Sequence, residues 1–312
     1  MNEEPLIDVI VARRRAESDG VVSLDLRDAA GGTLPHWSPG AHIDVMLPDG
    51  AARQYSLCGP EEWRIAALYE PDGRGGSRWI HEQVREQDVI QVRGPHNHFE
   101  LVQAQRYIFV AGGIGITPII AMVRDLTRRG DVDWRLVYGG RSRSSMAFLD
   151  ELTALGDRVT VLPEDESGLI NIPEALGTPQ FGTAIYCCGP EPLLKVVERA
   201  CRSWPPGTLH VERFVPRPVD TSGDHAFEVV AQRSGLTVEV GARTSILVAL
   251  RERGISVPSS CEEGVCGTCE TKVLEGEVEH RDAILTEEDR ESNTAMMVCC
   301  SRARGDRLVL DV

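Results

Sequence analysis

The chain has 312 residues, with 33 basic and 48 acidic side chains and a formal charge of −15. That length predicts two or three domains and a core large enough to need no disulfides. An acidic surface repels phosphate backbones and anionic lipid, so nucleic acid and a membrane surface are not expected partners, while a basic docking site on another protein is compatible with it. No run of eighteen apolar residues occurs, so no spanning helix is expected. The acidic start Met1-Asn2-Glu3-Glu4-Pro5 lacks the basic and apolar regions of a secretory signal, and the expected location is the cytoplasm. Nine cysteines in that compartment do not read as a disulfide framework. Five of them crowd into the last 52 residues, where metal binding is the better explanation.

Residues 1–103 read as short strands: Leu6–Val11, Val21–Leu26, His42–Leu47, Arg53–Leu57, Arg64–Tyr69 and Val89–Arg93. Turn clusters such as Pro48-Asp49-Gly50 and Pro71-Asp72-Gly73 separate them, and one helix is expected from Ser77 to Val84. This pattern predicts an antiparallel β-barrel. Residues 104–220 change rhythm. Strands at Tyr107–Ala111, Trp134–Tyr138, Arg158–Leu162 and Thr183–Cys187 alternate with helices at Pro118–Arg129, near Ser145–Leu155 and at Glu191–Cys201. That alternation predicts a parallel α/β sheet. Val215 to His225 reads as a linker. Residues 221–312 then supply strands Phe227–Ala231 and Leu236–Val240, a helix near Ser245–Arg253, and a cysteine-rich loop.

That loop is the strongest chemical signal. Cys261, Cys266 and Cys269 are separated by four and two residues, and a further 29 residues separate Cys269 from Cys299. This is the plant-type [2Fe–2S] spacing, in which each iron takes two thiolates. Gly264 and Gly267 let the backbone curl closely around the sulfurs. A zinc site would also use four thiolates, but normally as two Cys-x2-Cys pairs. Cys300 competes with Cys299 for the last position; neighbouring strand side chains face opposite ways, so only one of the two can reach the cluster.

Ala111-Gly112-Gly113-Ile114-Gly115-Ile116-Thr117-Pro118 follows a strand and opens a helix. Bare amides at a helix N-terminus favour a pyrophosphate. Thr117 suits the N-cap and Pro118 the first helical position, and a plain tight turn is the alternative. At the end of the next strand, Tyr138-Gly139-Gly140-Arg141-Ser142-Arg143 stands where the adenosine half of a dinucleotide would lie. There Arg141 and Arg143 suit phosphate or adenine, or else form a solvated basic turn. Cys187-Cys188-Gly189-Pro190 ends the last main strand, with Cys188 either beside the nicotinamide or a buried strand cysteine. In the barrel, Arg53-Gln54-Tyr55-Ser56 suits a flavin: Arg for a phosphate, Tyr against the ring, and the Ser hydroxyl for the redox-active nitrogen. Gly73-Arg74-Gly75-Gly76-Ser77 is a second anion seat at a helix start.

These motifs, in this order and spanning essentially the whole chain, resemble the phthalate dioxygenase reductase family. The resemblance implies a flavin-binding barrel (1–103), an NAD(H)-binding α/β domain (104–220) and a β-grasp plant-type ferredoxin domain (221–312). It implies FMN rather than FAD, NADH rather than NADPH, and Cys261, Cys266, Cys269 and Cys299 as cluster ligands, in keeping with plant-type ferredoxins. Carried over residue by residue, Arg53, Gln54, Tyr55, Ser56 and Ala67 meet the flavin, and Gly75, Gly76 and Ser77 hold its phosphate. Gly113, Gly115 and Thr117 hold the dinucleotide phosphates, with Arg141, Ser142 and Arg143 near the adenosine. Cys188, Gly189 and Pro190 flank the hydride path, with Ser56 and Cys188 nearest the chemistry, and Phe214 lies near the flavin.

NADH gives up two electrons as hydride and a [2Fe–2S] cluster accepts one at a time, so a flavin must stand between them. The implied acceptor is a terminal oxygenase, either a Rieske-type aromatic oxygenase or demethylase, or a cytochrome P450. Residues 226–312 hold 16 acidic and 10 basic side chains, which suits docking to a basic patch or serves solubility alone. Two other functions fit parts of the pattern: a stand-alone flavin reductase or diaphorase, and a redox sensor.

Overall fold

The computed structural model describes residues 4–130, 132–216 and 219–312. They form two compact units, one ending at Glu212 and the other running from Arg213 to Val312.

The first unit opens with strands β1 (Ile7–Ser18), β2 (Val21–Asp28), β3 (His42–Met46), β4 (Ala52–Ser56), β5 (Trp63–Leu68) and β6 (Val89–His96). They form one antiparallel sheet in the order β4-β3-β6-β1-β2-β5. Beyond β4, the Cys58 N–H donates to the Arg64 carbonyl on β5 at 2.7 Å, joining the two edges and closing the barrel. Alternation along β2 sends Val22, Leu24 and Leu26 into the barrel core with Ile43, Val45 and Ile65. Helix α1 (Gly76–Glu82) seals one end through Ile80. The expected strands are all present; β1 is longer than its apolar run because Arg13, Arg14 and Arg15 continue its pairing with β2.

The same unit continues with β7 (Arg106–Gly112), α2 (Ile116–Arg129), β8 (Asp133–Gly140), α3 (Leu149–Thr153), β9 (Val159–Pro163), α4 (Glu164–Ser167), α5 (Ile172–Leu176), β10 (Thr183–Cys188), α6 (Glu191–Cys201) and β11 (Leu209–Glu212). The five strands are parallel in the order β11-β10-β7-β8-β9. Helix α2 buries Ile116, Ile119, Ile120, Val123 and Leu126, a helical stripe, against Tyr107, Phe109 and Tyr186. Helix α6 covers the opposite face with Leu194, Val197 and Cys201 against Ile108, Val110, Ile185 and Cys187. Val21, Cys58, Ala66 and Phe99 of the barrel share the core of α2, so barrel and α/β sheet pack as one body. Arg124 of α2 extends this contact, donating to the Cys58 carbonyl while paired with Glu151. The helix expected near 145–155 is only Leu149–Thr153, preceded by a 3-10 turn at Arg143–Ser145.

The second unit carries β12 (Phe227–Ala231), β13 (Leu236–Val240), α7 (Ile246–Glu252), β14 (Glu270–Glu275), β15 (Val278–Glu279), α8 (Glu287–Ser292), β16 (Ala295–Met297), β17 (Arg302–Ala303) and β18 (Arg307–Leu310). The main sheet runs β13-β12-β18-β14-β16, with β12 and β18 parallel and the remaining pairs antiparallel. Ser245 caps α7 by accepting from the Val248 N–H at 3.2 Å. Ile246, Leu247, Ala249 and Leu250 pack that helix into the core of the sheet, the β-grasp arrangement. Part of the segment expected as a linker is anchored: buried Arg302 donates to the His225 carbonyl at 2.8 Å, and Arg281 pairs with Asp224.

On the outer face of β2, buried Asp25 takes Arg15 and Arg64 at 2.6 Å each, tying β1, β2 and β5 together. Burial opposes ionisation of Asp25, but the two guanidinium groups outweigh it and hold the carboxyl below the usual carboxylate range. The Asp25 contribution is therefore present above about pH 4 and is lost as pH falls through its depressed pKa. Asp25→Asn is expected to cost about 2 kcal/mol at pH 7 in urea unfolding, and the deficit should shrink toward pH 3. An unchanged midpoint at pH 7 would remove Asp25 from the account of the barrel.

Candidate nucleotide, flavin and cluster sites

At the carboxyl ends of β7 and β10, two glycine-bearing turns meet backbone to backbone. Ala111 lies in register with Cys188. A Cβ on Gly115 would stand 2.3 Å from the Cys188 carbonyl oxygen, and one on Gly189 would stand 3.0 Å from Gly112. Only glycine lets the turns interlock in this way. Gly113, at φ 54°, is in the left-handed region with open space beyond it. A 3-10 turn, Gly113–Gly115, leads into α2, which has Gly115 at its N-cap with no side-chain cap. Thr117, expected as the cap, lies inside the first turn and returns its hydroxyl to the Ile114 carbonyl at 3.0 Å. The glycine turn starts the helix earlier than a Thr-Pro signal suggests.

Cys188 is buried beneath these turns and donates its thiol toward the Glu212 carboxylate at 3.8 Å. Glu212 ends β11 opposite Cys188 in parallel register. Burial of its carboxyl end pushes its pKa up to about 8, an effect the Cys188 contact only partly offsets. In the sequence Glu212 is a lone acid ending a short strand and carries no local signal; only the β10–β11 pairing sets it on Cys188. Phe214, expected near the flavin, heads the other unit and is 39% exposed.

Beyond β8, Arg141 and Arg143 are exposed and Ser142 is half-buried, with its hydroxyl inside the local turn. Arg143 forks onto Glu166 through Nε at 3.1 Å and an Nη at 2.8 Å.

In the barrel, Arg53 and Tyr55 lie on one face of β4 and meet Gly76 at the start of α1. A Cβ on Gly76 would stand 2.7 Å from Arg53 Cγ and 2.9 Å from the Tyr55 hydroxyl. Gly75, at φ 87°, precedes the helix with no side-chain cap. Arg53 donates to the carbonyls of Ala52 and Arg74, each at 2.7 Å. Ser77, expected to hold a phosphate, also accepts from the Glu70 N–H at 3.0 Å, which fixes the preceding turn. Gln54 donates to buried Asp44 at 2.7 Å. Ser56 is buried on the opposite face, paired across the sheet with His42. The His42 ring lies 5.7 Å from His96 and 6.1 Å from His98. Ala67 is buried on β5, and its carbonyl meets His81 Nε2 at 2.9 Å.

In the second unit, Cys261, Cys266, Cys269 and Cys299 are all buried. The Cys261 sulfur lies within reach of Cys266 and Cys299, and that of Cys269 within reach of Cys299. Among the described residues, no three His, Cys, Asp or Glu side chains converge as around a single ion; these sulfurs meet as successive neighbours. The N–H groups of Glu263 and Val265 point at Cys261 Sγ at 3.3 and 3.4 Å, and the Cys261 N–H points at Cys266 Sγ at 3.4 Å. Hydrogen bonds from Cys266 and Cys299, then from these amides, hold the Cys261 thiol well below its ordinary pKa. Glu262, Gly264 and Gly267 take positive φ to turn the loop. A Cβ on Gly264 would stand 2.5 Å from Cys300 Sγ, so Cys300 packs behind the loop. The Gly264 carbonyl accepts from the Ala283 N–H at 2.8 Å.

Residues 229–304 match the family model of the 2Fe-2S iron-sulfur cluster binding domain, and residues 109–199 match that of the oxidoreductase NAD-binding domain. A barrel, a nucleotide-binding sheet and an iron–sulfur domain on one chain define a pyridine-nucleotide-dependent electron-transfer oxidoreductase. The chain is 42% identical, over 98% of its length and 99% of the relative, to a putative toluene-4-sulfonate monooxygenase system reductase subunit of Comamonas testosteroni. It is 40% identical to vanillate O-demethylase oxidoreductase of Pseudomonas putida, over 98% of this chain and 100% of that protein. Identity to phthalate dioxygenase reductase of Burkholderia cepacia is 37%, over 99% and 98%. A solved phthalate dioxygenase reductase superposes at a TM-score of 0.71 with 35% identity, covering 98% of each chain. An intact type IV self-sufficient cytochrome P450 monooxygenase matches all of this chain at a TM-score of 0.90 and 45% identity, and this chain spans 42% of that larger one. The chain belongs to the phthalate dioxygenase reductase family, the reductase components of oxygenase systems.

Gly115→Ala forces a methyl group onto backbone that cannot yield as a flexible side chain would. It is expected to cost about 1–3 kcal/mol in thermal unfolding and to raise the KM for NADH. An unaltered KM in a folded variant would dissociate the interlocked turns from nucleotide binding.

Proposed function

We propose that this reductase takes hydride from NADH at the β7–β10 crevice onto FMN held by the barrel. Single electrons then leave through a [2Fe–2S] cluster on Cys261, Cys266, Cys269 and Cys299 to a terminal oxygenase in the cytoplasm. The partner is a Rieske-type aromatic oxygenase or demethylase, or a cytochrome P450. The division of labour is three domains: 1–103 for the flavin, 104–220 for the nucleotide and 221–312 for the cluster. One observation carries the reading: a glycine crevice and four gathered thiols occur on a single chain that aligns end to end with oxygenase reductase subunits.

The residues present fit the groups. Four buried thiols, with backbone N–H groups aimed at the Cys261 and Cys266 sulfurs, fit the donor set of a plant-type cluster. Gly76, open where a side chain would collide with Arg53 and Tyr55, leaves bare amides beside a guanidinium, which suits a terminal phosphate. When bound, the flavin supplies the conversion from a two-electron donor to one-electron acceptors, and the cluster supplies the one-electron outlet.

The chain's own work is positioning and exclusion of water. Gly113, Gly115 and the first amides of α2 seat the pyrophosphate, with Thr117 held inside that turn. Gly189 and Pro190 wall the crevice, and Arg141, Ser142 and Arg143 face the adenosine. Tyr55 backs the flavin ring, with Gln54, Ser56 and Ala67 around it and Gly75, Gly76 and Ser77 at its phosphate. Cys188 and Glu212 set the charge at the nicotinamide end. A pKa raised to about 8 by burial favours the neutral Glu212 acid at neutral pH; at higher pH a carboxylate there favours the positive charge that the ring gains as hydride leaves.

Two measurements test this. Cys261→Ser is expected to abolish the cluster absorbance and electron paramagnetic resonance signal and to lower cytochrome c reduction by more than about 100-fold, while NADH–ferricyanide activity persists through the flavin. Intact cytochrome c reduction in that variant would refute the electron route and favour a plain diaphorase. In stopped-flow measurements, flavin reduction by NADH should accelerate as pH rises through about 8, and Glu212→Gln should flatten the profile at the low-pH rate. An inflection that survives in the variant would assign the titration to another group.

A further inference from the structure

The turn after β8 and the turn after β9 are tied together. Gly140 lies in register with Pro163, and the Asp165 N–H donates to the Arg141 carbonyl at 3.2 Å. The first turn carries two arginines and the second carries the run Glu164-Asp165-Glu166. In an open parallel sheet this corner, next to the strand that begins the phosphate-binding turn, receives the adenosine ribose. A carboxylate there suits a ribose with a free 2′-hydroxyl, and a free arginine suits a 2′-phosphate.

The two arginines are not equivalent. Arg141 is exposed and its guanidinium meets no partner among the described residues. Arg143 is engaged through Nε and one Nη by both oxygens of Glu166. That edge is the one a guanidinium uses to grip phosphate at two points. Arg143 and Glu166 are 52% and 48% exposed, so the pair adds little to folding stability.

We infer that Glu166 is a specificity-determining residue that makes the adenosine corner reject NADPH, by occupying the phosphate-gripping edge of Arg143 and by adding a negative charge beside it. The inference rests on the proposal that the dinucleotide lies across Gly113–Gly115. The 2′-phosphate carries more than one negative charge near neutral pH. In the Glu166→Gln protein the same guanidinium edge becomes available, and one charge-assisted contact corresponds to about tenfold in binding.

The test uses the full-length protein with its flavin and cluster, and ferricyanide as acceptor. In Glu166→Gln, kcat/KM for NADPH is expected to rise about tenfold while the NADH value moves by less than about threefold. Inhibition by adenosine 2′,5′-bisphosphate should tighten by the same factor, with 5′-AMP inhibition nearly unchanged. The Arg143→Ala/Glu166→Gln double variant should lose most of both gains, because the two-point guanidinium edge that Glu166→Gln frees is gone while Arg141 stands unchanged in every variant. An NADH-to-NADPH ratio that stays put, or a gain that persists in the double variant, overturns the role of Glu166. Failure of the wild-type protein to use NADH overturns the nucleotide reading itself.

Discussion

The arrangement depends on one steric constraint: the backbones after β7 and β10 touch where neither can carry a side chain. A methyl group on Gly115 would run into the Cys188 carbonyl, and one on Gly189 into Gly112. Two parallel strands end side by side, and their turns interlock rather than spread. The first amides of α2 are left bare at the crevice, and Cys188 is held directly beneath it. Parallel register then extends the constraint by one strand, because β11 pairs with β10 so that Glu212 faces Cys188. An uncapped helix start and a thiol–carboxyl pair therefore share one edge of one sheet.

The cluster loop solves a related problem by different means. Three sulfurs, of Cys261, Cys266 and Cys269, come from one short loop and the fourth, of Cys299, from just beyond β16; Glu262, Gly264 and Gly267 supply the left-handed turns that curl the loop. The wall behind the loop is shaped to match: Cys300 and the Asp282 backbone fill the space that a Gly264 side chain would need. Asp282, fully buried, in turn accepts from the Ile284 and Leu285 N–H groups and from Arg290. The loop thus leans on a hydrogen-bonded turn remote from it in sequence.

Much of the fold was legible because its signals are local. The strands at 227–231 and 236–240 and the helix at 191–201 fall where alternation and helical spacing put them. The cysteine spacing was equally direct, since ligand geometry imposes it on consecutive residues. Less local features were misplaced or missed. Thr117-Pro118 predicts the start of α2 there, yet the glycine turn before them winds first into a 3-10 turn. The strand β11 and the helices α4 and α5 carry no periodic signal in the sequence, being short and dependent on their neighbours for burial. Ser77, expected at a phosphate, also braces the turn at Glu70, and Arg143, expected at phosphate or adenine or in a solvated basic turn, lies against Glu166.

By itself, the sequence determined which residues are present for chemistry: the thiol set, two glycine-rich helix starts and the order of barrel, nucleotide sheet and ferredoxin domain. These follow from residue identity over a few positions, where bonding rules act on neighbours in the chain. Only the tertiary structure decided which distant groups share a site. It set Glu212 on Cys188, Glu166 on Arg143, Cys300 behind Gly264, and barrel and sheet around one core. Those pairings depend on strand register and on close packing between segments tens of residues apart, and no local pattern encodes either.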